Sequence, residues 1–211
     1  MLYKNGLNNF SKIYYINLDH RKDRFTHITN ELSKTNIELH KIHKISGIYL
    51  KEFGILGCAK SHCLALEAFI KSNEDNCIIF EDDFEFTETQ EIINVLIDRV
   101  FNELIKFDVL MLASNILNSR KTDFNFITKI IDAQTLSGYA VSKKFAPILL
   151  NNYKESISLL EKAGCKTHPF CFDIYMKRIQ PYYNWYCLVP KIGKQIESYS
   201  DIENAVVAYD C

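Results

Sequence analysis

The stretch Ile78-Ile79-Phe80-Glu81-Asp82-Asp83-Phe84-Glu85-Phe86 concentrates the most legible chemistry in the chain. A short apolar run ends in three consecutive acids, and apolar residues then resume on alternate positions. Neighbouring carboxylates repel one another, and burying one without compensation is costly. Acids aimed off the end of a buried strand therefore need a cation or open water. A divalent metal is the sharper expectation, and three solvated acids in a turn the plainer one. Asn17 and Asp19 fall at the end of another apolar run, with Arg21 and Arg24 close behind. An arginine fork suits phosphate or an acid; the bland alternative is a solvated helix face where Arg21, Asp23 and Arg24 pair locally. Lys60, Ser61 and His62 are expected to open a helix, whose free N–H groups and dipole favour an anion. A histidine beside apolar residues can equally be a satisfied core group. Cys165, His168 and Cys171 lack a fourth zinc ligand at any usual spacing, so their proximity reads as incidental.

Positioning these groups takes an alternation of strands and helices. Lys12–Leu18 reads as a first strand, and Asp19 as the N-cap of a helix over 20–33. A second strand is expected over 37–45, and Gly54 and Gly57 punctuate the entry to a helix over 58–72. After the acidic strand, Thr87 or Thr89 is expected to cap a helix reaching Lys106, and Asp108–Ala113 is another buried strand. Residues 114–125 are polar and aperiodic, which predicts a mobile loop, a candidate lid over a ligand. Short strands over 126–131 and 137–142, a helix over 143–160 and an aromatic strand over 182–189 complete the reading. This order argues for an α/β fold with one mostly parallel central sheet flanked by helices. Ligands settle at the C-terminal strand ends of such sheets.

At 211 residues the chain is expected to be one domain, 1–211. Its 47% hydrophobic and 24% charged residues are ordinary for a globular protein. A formal net charge of -1 leaves no basic footprint, which excludes nucleic acid as the expected partner. Seven cysteines without a CxxC fit a reduced compartment. With no apolar leader and no apolar run of spanning length, a cytoplasmic location is expected.

Several blocks, taken in order, resemble one family. They are Tyr15-Ile16-Asn17-Leu18-Asp19-His20-Arg21-Lys22-Asp23-Arg24, Gly57-Cys58-Ala59-Lys60-Ser61-His62, Glu81-Asp82-Asp83, Asp108-Val109-Leu110-Met111-Leu112 and Ser137-Gly138-Tyr139-Ala140-Val141-Ser142. Asp173-Ile174-Tyr175, Pro190, Gln195 and Ser200-Asp201-Ile202 follow. The chain resembles the family 25 glycosyltransferases, among them lipopolysaccharide and collagen hydroxylysine galactosyltransferases. The resemblance implies a GT-A fold, a UDP-sugar donor and Mn²⁺ or Mg²⁺. It places Asp83 on the metal, with Glu81 or Asp82 on the ribose or a bridging water. It also implies that Asn17 and Asp19 receive the uridine, that Arg21 or Arg24 offers a fork to phosphate, and that Lys60, Ser61 and His62 lie near the donor. Gly138 is expected to allow close approach to the sugar or to a neighbouring strand. Many GT-A enzymes take a further metal ligand, often His, from near the C-terminus. No histidine follows His168 here, so Gln195, Ser200, Asp201 or water must serve.

The reading is then a metal-dependent hexosyltransferase. It moves galactose or glucose from UDP to a hydroxyl on a glycan or a hydroxylysine-type protein side chain, with inversion. A base must take the acceptor's proton; Asp173 is the candidate, unless it merely caps the helix that follows. The alternative is a non-catalytic GT-A-like domain that binds a nucleotide or a partner. A two-metal phosphoesterase ranks last, because it needs more ligands at strand ends than the sequence offers.

Overall fold

A computed structural model describes residues 5–200 and 205–207, with the backbone alone over 198–200 and 205–207. Strands β1 (Lys12–Asn17), β2 (Ile42–Ser46), β3 (Asn76–Glu81), β4 (Phe84–Phe86), β5 (Val109–Lys121), β6 (Ile127–Ser142), β7 (Trp185–Leu188) and β8 (Gly193–Gln195) carry the architecture. Six of them form one sheet in the order β2-β1-β3-β6-β5-β7. Five run the same way and β6 runs against them, so the sheet is mostly parallel, as expected. Strands β4 and β8 pair antiparallel beside the end of β3.

The period of two along each strand sorts the core into two layers. Tyr14, Ile16, Cys77, Ile79, Val109 and Met111 pack toward helices α2 (Gly54–Ser72) and α4 (Ala146–Ala163). Ile13, Tyr15, Ile78, Phe80, Leu110 and Leu112 pack toward α1 (Lys22–Ser33) and α3 (Gln90–Asn102). Strands buried on both faces read as unbroken apolar runs, which is why β1, β3 and the start of β5 stood out. Among the described residues, no helix is long and apolar enough to cross a membrane.

Several expectations need correction. The polar stretch 114–125 is a loop only over 122–125: β5 continues to Lys121, paired with β6 from Thr128 to Gln134. The strands expected over 126–131 and 137–142 are likewise one strand, β6, which begins at Ile127. The stretch 37–45 is a strand only from Ile42, because Leu39–Lys41 forms a 3₁₀ turn. Asp19 caps nothing; α1 begins at Lys22 with no side-chain cap, and Asp19 accepts instead from Lys44 and Ser46. Helix α2 begins at Gly54, a full turn before the expected start. Gly57 lies inside it because a Cβ there would stand 2.4 Å from the Ile48 carbonyl oxygen. Thr89 does cap α3, its side chain accepting from the Ile92 N–H.

Candidate active site

The acids leave the end of β3 and turn at once into β4, and several contacts hold that turn. The Phe84 carbonyl accepts from His27 Nε2 at 2.9 Å, and the Phe86 N–H donates to Glu31 at 3.1 Å, both from α1. On the other side, the Ile196 N–H donates to the Asp83 carbonyl at 2.9 Å. The Phe84 ring is fully buried and leaves no room for a Cβ at Gly138 or Gly193, where one would come within 2.6 and 2.2 Å of it. Of its two expected roles, Gly138 therefore fills the second: it lets the aromatic rings of neighbouring strands, Phe84 and Phe80, come close.

Inside the turn the carboxylates have partners. Asp82 accepts from Asn17 Nδ2 at 2.8 Å and from Arg24 Nη1 at 3.1 Å. Asp83 pairs with the same Arg24 nitrogen at 2.9 Å and accepts from Gln195 Nε2 at 3.0 Å. Burial, then the Glu81 charge, pushes the Asp83 carboxyl up to about 6. Burial and the neighbouring Asp83 raise Asp82 as well. Glu81 turns the other way, toward α2: its Oε1 lies 2.9 Å from His62 Nε2 and 3.8 Å from Cys58 Sγ. His62 is wholly buried, with Nδ1 3.1 Å from the Tyr139 hydroxyl and its ring against Tyr139 and Phe172.

Two clefts meet here. The first is lined by Arg21, Arg24, Ser61, His62, all three acids and Gln195, and walled by Ile48, Tyr49 and Leu50. The second is lined by Gln134, Thr135, Leu136, Lys166, His168, Phe172 and Asp173. Cys58, Glu81 and Gln195 border both. Burial raises the Asp173 carboxyl, and backbone N–H groups of Asp173, Thr135 and Ile174 oppose the shift. Thr135 holds φ at 63°, a left-handed conformation unusual for a β-branched residue. It occupies the stretch of β6 that faces Asp173.

The structure thus gathers Arg21, Arg24, Ser61, His62, Glu81, Asp82, Asp83 and Gln195 around one cleft. It separates others. Asn17 is 1% exposed behind the acids, its amide spent on Asp82 and the Arg21 carbonyl, so it orients an acid instead of meeting a base edge. Asp19 pairs with Lys44 at 2.6 Å outside the cleft lining. Lys60 turns to α4 and pairs with Glu161 at 2.7 Å, because it lies on the opposite side of α2 from Cys58 and His62. With α2 starting at Gly54, the N–H groups of residues 60–62 are also past its first turn, and the anion argument fails there. Ser61 Oγ donates to the Gly57 carbonyl and accepts from the Ile48 N–H, pinning the cleft wall to the helix. The side chain of Ser200 and all of Asp201 lie outside the described residues. Cys58, which borders both clefts, was not expected here, although its spacing of four from His62 on one helix was the available signal.

The acids fit a divalent cation in their chemistry. Asp83 Oδ1 is buried without a hydrogen-bond partner, a hard oxygen donor beside the cleft. Arg24 carries one positive charge against the three carboxylates of Glu81, Asp82 and Asp83. Asp83 and Glu81, with Gln195 alongside, are the side chains that would hold the ion.

The fold has relatives among solved structures. A glycosyltransferase involved in the glycosylation of the major capsid of PBCV-1 is 11% identical with a TM-score of 0.52, over 92% of this chain and 96% of that one. Looser likenesses link the chain to A197 from STIV (14% identity, TM-score 0.43, 84% of this chain and 81% of that one). They link it also to mannose-1-phosphate geranyltransferase from Thermus thermophilus (8% identity, TM-score 0.47, 84% of this chain and 72% of that one). No curated protein matches. The family described as "Glycosyltransferase family 25 (LPS biosynthesis protein)" matches residues 52–170, more than half of the chain, including α2, the acid turn and the strands beside it. The chain belongs to glycosyltransferase family 25.

Proposed function

We propose that this chain transfers a hexose, galactose or glucose, from a UDP-sugar to a hydroxyl on a glycan or a hydroxylysine-type protein side chain, with inversion. The observation that carries the reading is the junction of the two clefts at Glu81. One side gathers arginines and acids suited to a nucleotide diphosphate, and the other presents Asp173. In this reading Arg21, whose fork now rests on Asp23, or Arg24 offers its donors to the diphosphate. Asp173 accepts the acceptor's hydroxyl proton while that oxygen bonds to the anomeric carbon and the UDP oxygen departs. Its raised affinity for a proton brings Asp173 nearer the working range of a base. A Mn²⁺ or Mg²⁺ ion on Asp83 and Glu81 would supply charge neutralisation to the leaving diphosphate. Ile48, Tyr49 and Leu50 wall the donor side and limit the access of water, whose attack is the competing reaction.

UDP release measured over a panel of UDP-sugars tests the reading. One hexose donor should stand out, and Glu81→Ala and Asp83→Ala should each abolish its turnover. Unchanged turnover in both variants refutes the assignment. One observation favours the non-catalytic alternative: Arg24 already pairs with Asp82 and Asp83. Calorimetry with UDP, with and without Mn²⁺, beside the turnover assay separates the two. Tight binding with no turnover of any donor establishes the alternative.

A further inference from the structure

We propose that Cys58, His62 and Glu81 form a binding site for a thiophilic divalent cation of the zinc class, set beside the all-oxygen acid turn and sharing Glu81 with it. The proposal does not rest on the transfer reading. Among the described residues, these are the three potential ligands whose donor atoms all lie within 4.8 Å of one another. Cys58 and His62 stand four apart on α2 and so share one helix face, while Glu81 meets them from the end of β3.

The spacing suits a small tetrahedral ion. Zinc bonds of about 2.3 Å to sulfur and about 2.0–2.1 Å to nitrogen or oxygen place neighbouring ligand atoms about 3.3–3.6 Å apart. The observed separations from Glu81 Oε1, 2.9 Å to His62 Nε2 and 3.8 Å to Cys58 Sγ, bracket that range. The separation of Cys58 Sγ from the His62 ring nitrogen is at most 4.8 Å, so side-chain shifts of about an ångström or less would close the site. The imidazole is already oriented for it. In the metal-free chain Nε2–H donates to Glu81 at 2.9 Å and Nδ1 faces the Tyr139 hydroxyl at 3.1 Å; with an ion on Nε2 the ring would carry its proton on Nδ1 and donate to that hydroxyl. Tyr139 and Phe172 pack against the ring and hold that orientation. Coordination requires the Cys58 thiolate, so the thiol proton leaves to solvent as the ion binds. Because Cys58 and Glu81 border both clefts, the fourth ligand position opens onto them and takes water. A hard ion such as Mn²⁺ prefers oxygen donors and so selects the acid turn instead.

The test is titration of the full chain with Co²⁺, read by the thiolate-to-cobalt charge-transfer absorption. The band should grow to a stoichiometric end point and be bleached by Zn²⁺. Cys58→Ser should abolish it. His62→Gln should weaken Zn²⁺ binding by more than the roughly 10–100-fold expected for losing an outer partner, and Tyr139→Phe by about that amount. Asp83→Asn should leave the band intact. Absence of the band, or its persistence in Cys58→Ser, overturns the proposal. Should His62→Gln fail to fold, Cys58→Ser decides alone, since Cys58 is only partly buried. A chain that transfers no sugar but shows the band would sink the enzymatic reading and leave this one standing.

Discussion

The two clefts that share Glu81 manage their charges in opposite ways. In the first, Arg24 spans Asp82 and Asp83, Asn17 and Gln195 add amide donors, and the acids are held in place before any ligand arrives. In the second, backbone N–H groups and then the charge of His168 oppose the desolvation of Asp173, and the exposed Lys166 and His168 stand at the rim. One side is an assembled electrostatic frame, and the other presents a single buried acid, the base of the proposed transfer. Preorganised charge suits the binding of a diphosphate, whereas a buried acid of raised proton affinity suits proton transfer.

The largest effect that would sharpen this contrast is Asp173→Asn. Turnover should fall about 10²–10⁴-fold while UDP affinity measured by calorimetry stays put. Equal losses in both would erase the division of labour. Next comes Arg24→Met, which leaves two buried acids without their cation. Chemical denaturation should show a loss of about 3–5 kcal/mol, the size expected when one member of a buried ion pair is removed. Gly138→Ala should cost less, about 1–3 kcal/mol, because the added methyl must displace the buried Phe84 ring. It should also weaken UDP binding through the acid turn and leave the second cleft unaltered.

An effect of similar size is a pH dependence. The Asp83 carboxyl binds its proton more tightly in the folded chain, at about 6, than at the ordinary 3.8. Between those values the folded state holds more protons than the unfolded one, so without metal the contribution of Asp83 to stability falls as pH rises through this window. Denaturation curves over that range should show the slope, and Asp83→Asn should flatten it. A slope of the opposite sign would mean that Arg24 outweighs burial at this site.

The parts legible from sequence were those where burial writes a periodic pattern. Strands β1, β3 and the first half of β5 are apolar on both faces, and the acids that end β3 stood out against them. The outer half of β5 was unreadable for the converse reason: from Asn118 to Lys121 its side chains are exposed, so nothing apolar marks the pairing with β6. Gly57 misled the reading of α2 because a glycine required by contact with the Ile48 carbonyl looks, in sequence, like a helix breaker. Of the site, the acid turn and Gln195 could be read from the chain. The pairing of Arg24 with Asp82, 58 residues apart, could not, because only the packing of α1 beside the end of β3 brings them together. For the same reason Lys60 was misplaced: its helix face depends on where α4 packs.

The grip of two glycines on Phe84 ties distant parts of the chain into one rigid piece. Gly193 stands two residues before Gln195 on β8, opposite Phe86 across the β4–β8 ladder. Enlarging Gly193 would pry the terminal ribbon off the aromatic plug and carry the Gln195 carboxamide out of reach of its carboxylate. A lesion at a position that never meets a substrate would then masquerade as a defect in nucleotide recognition.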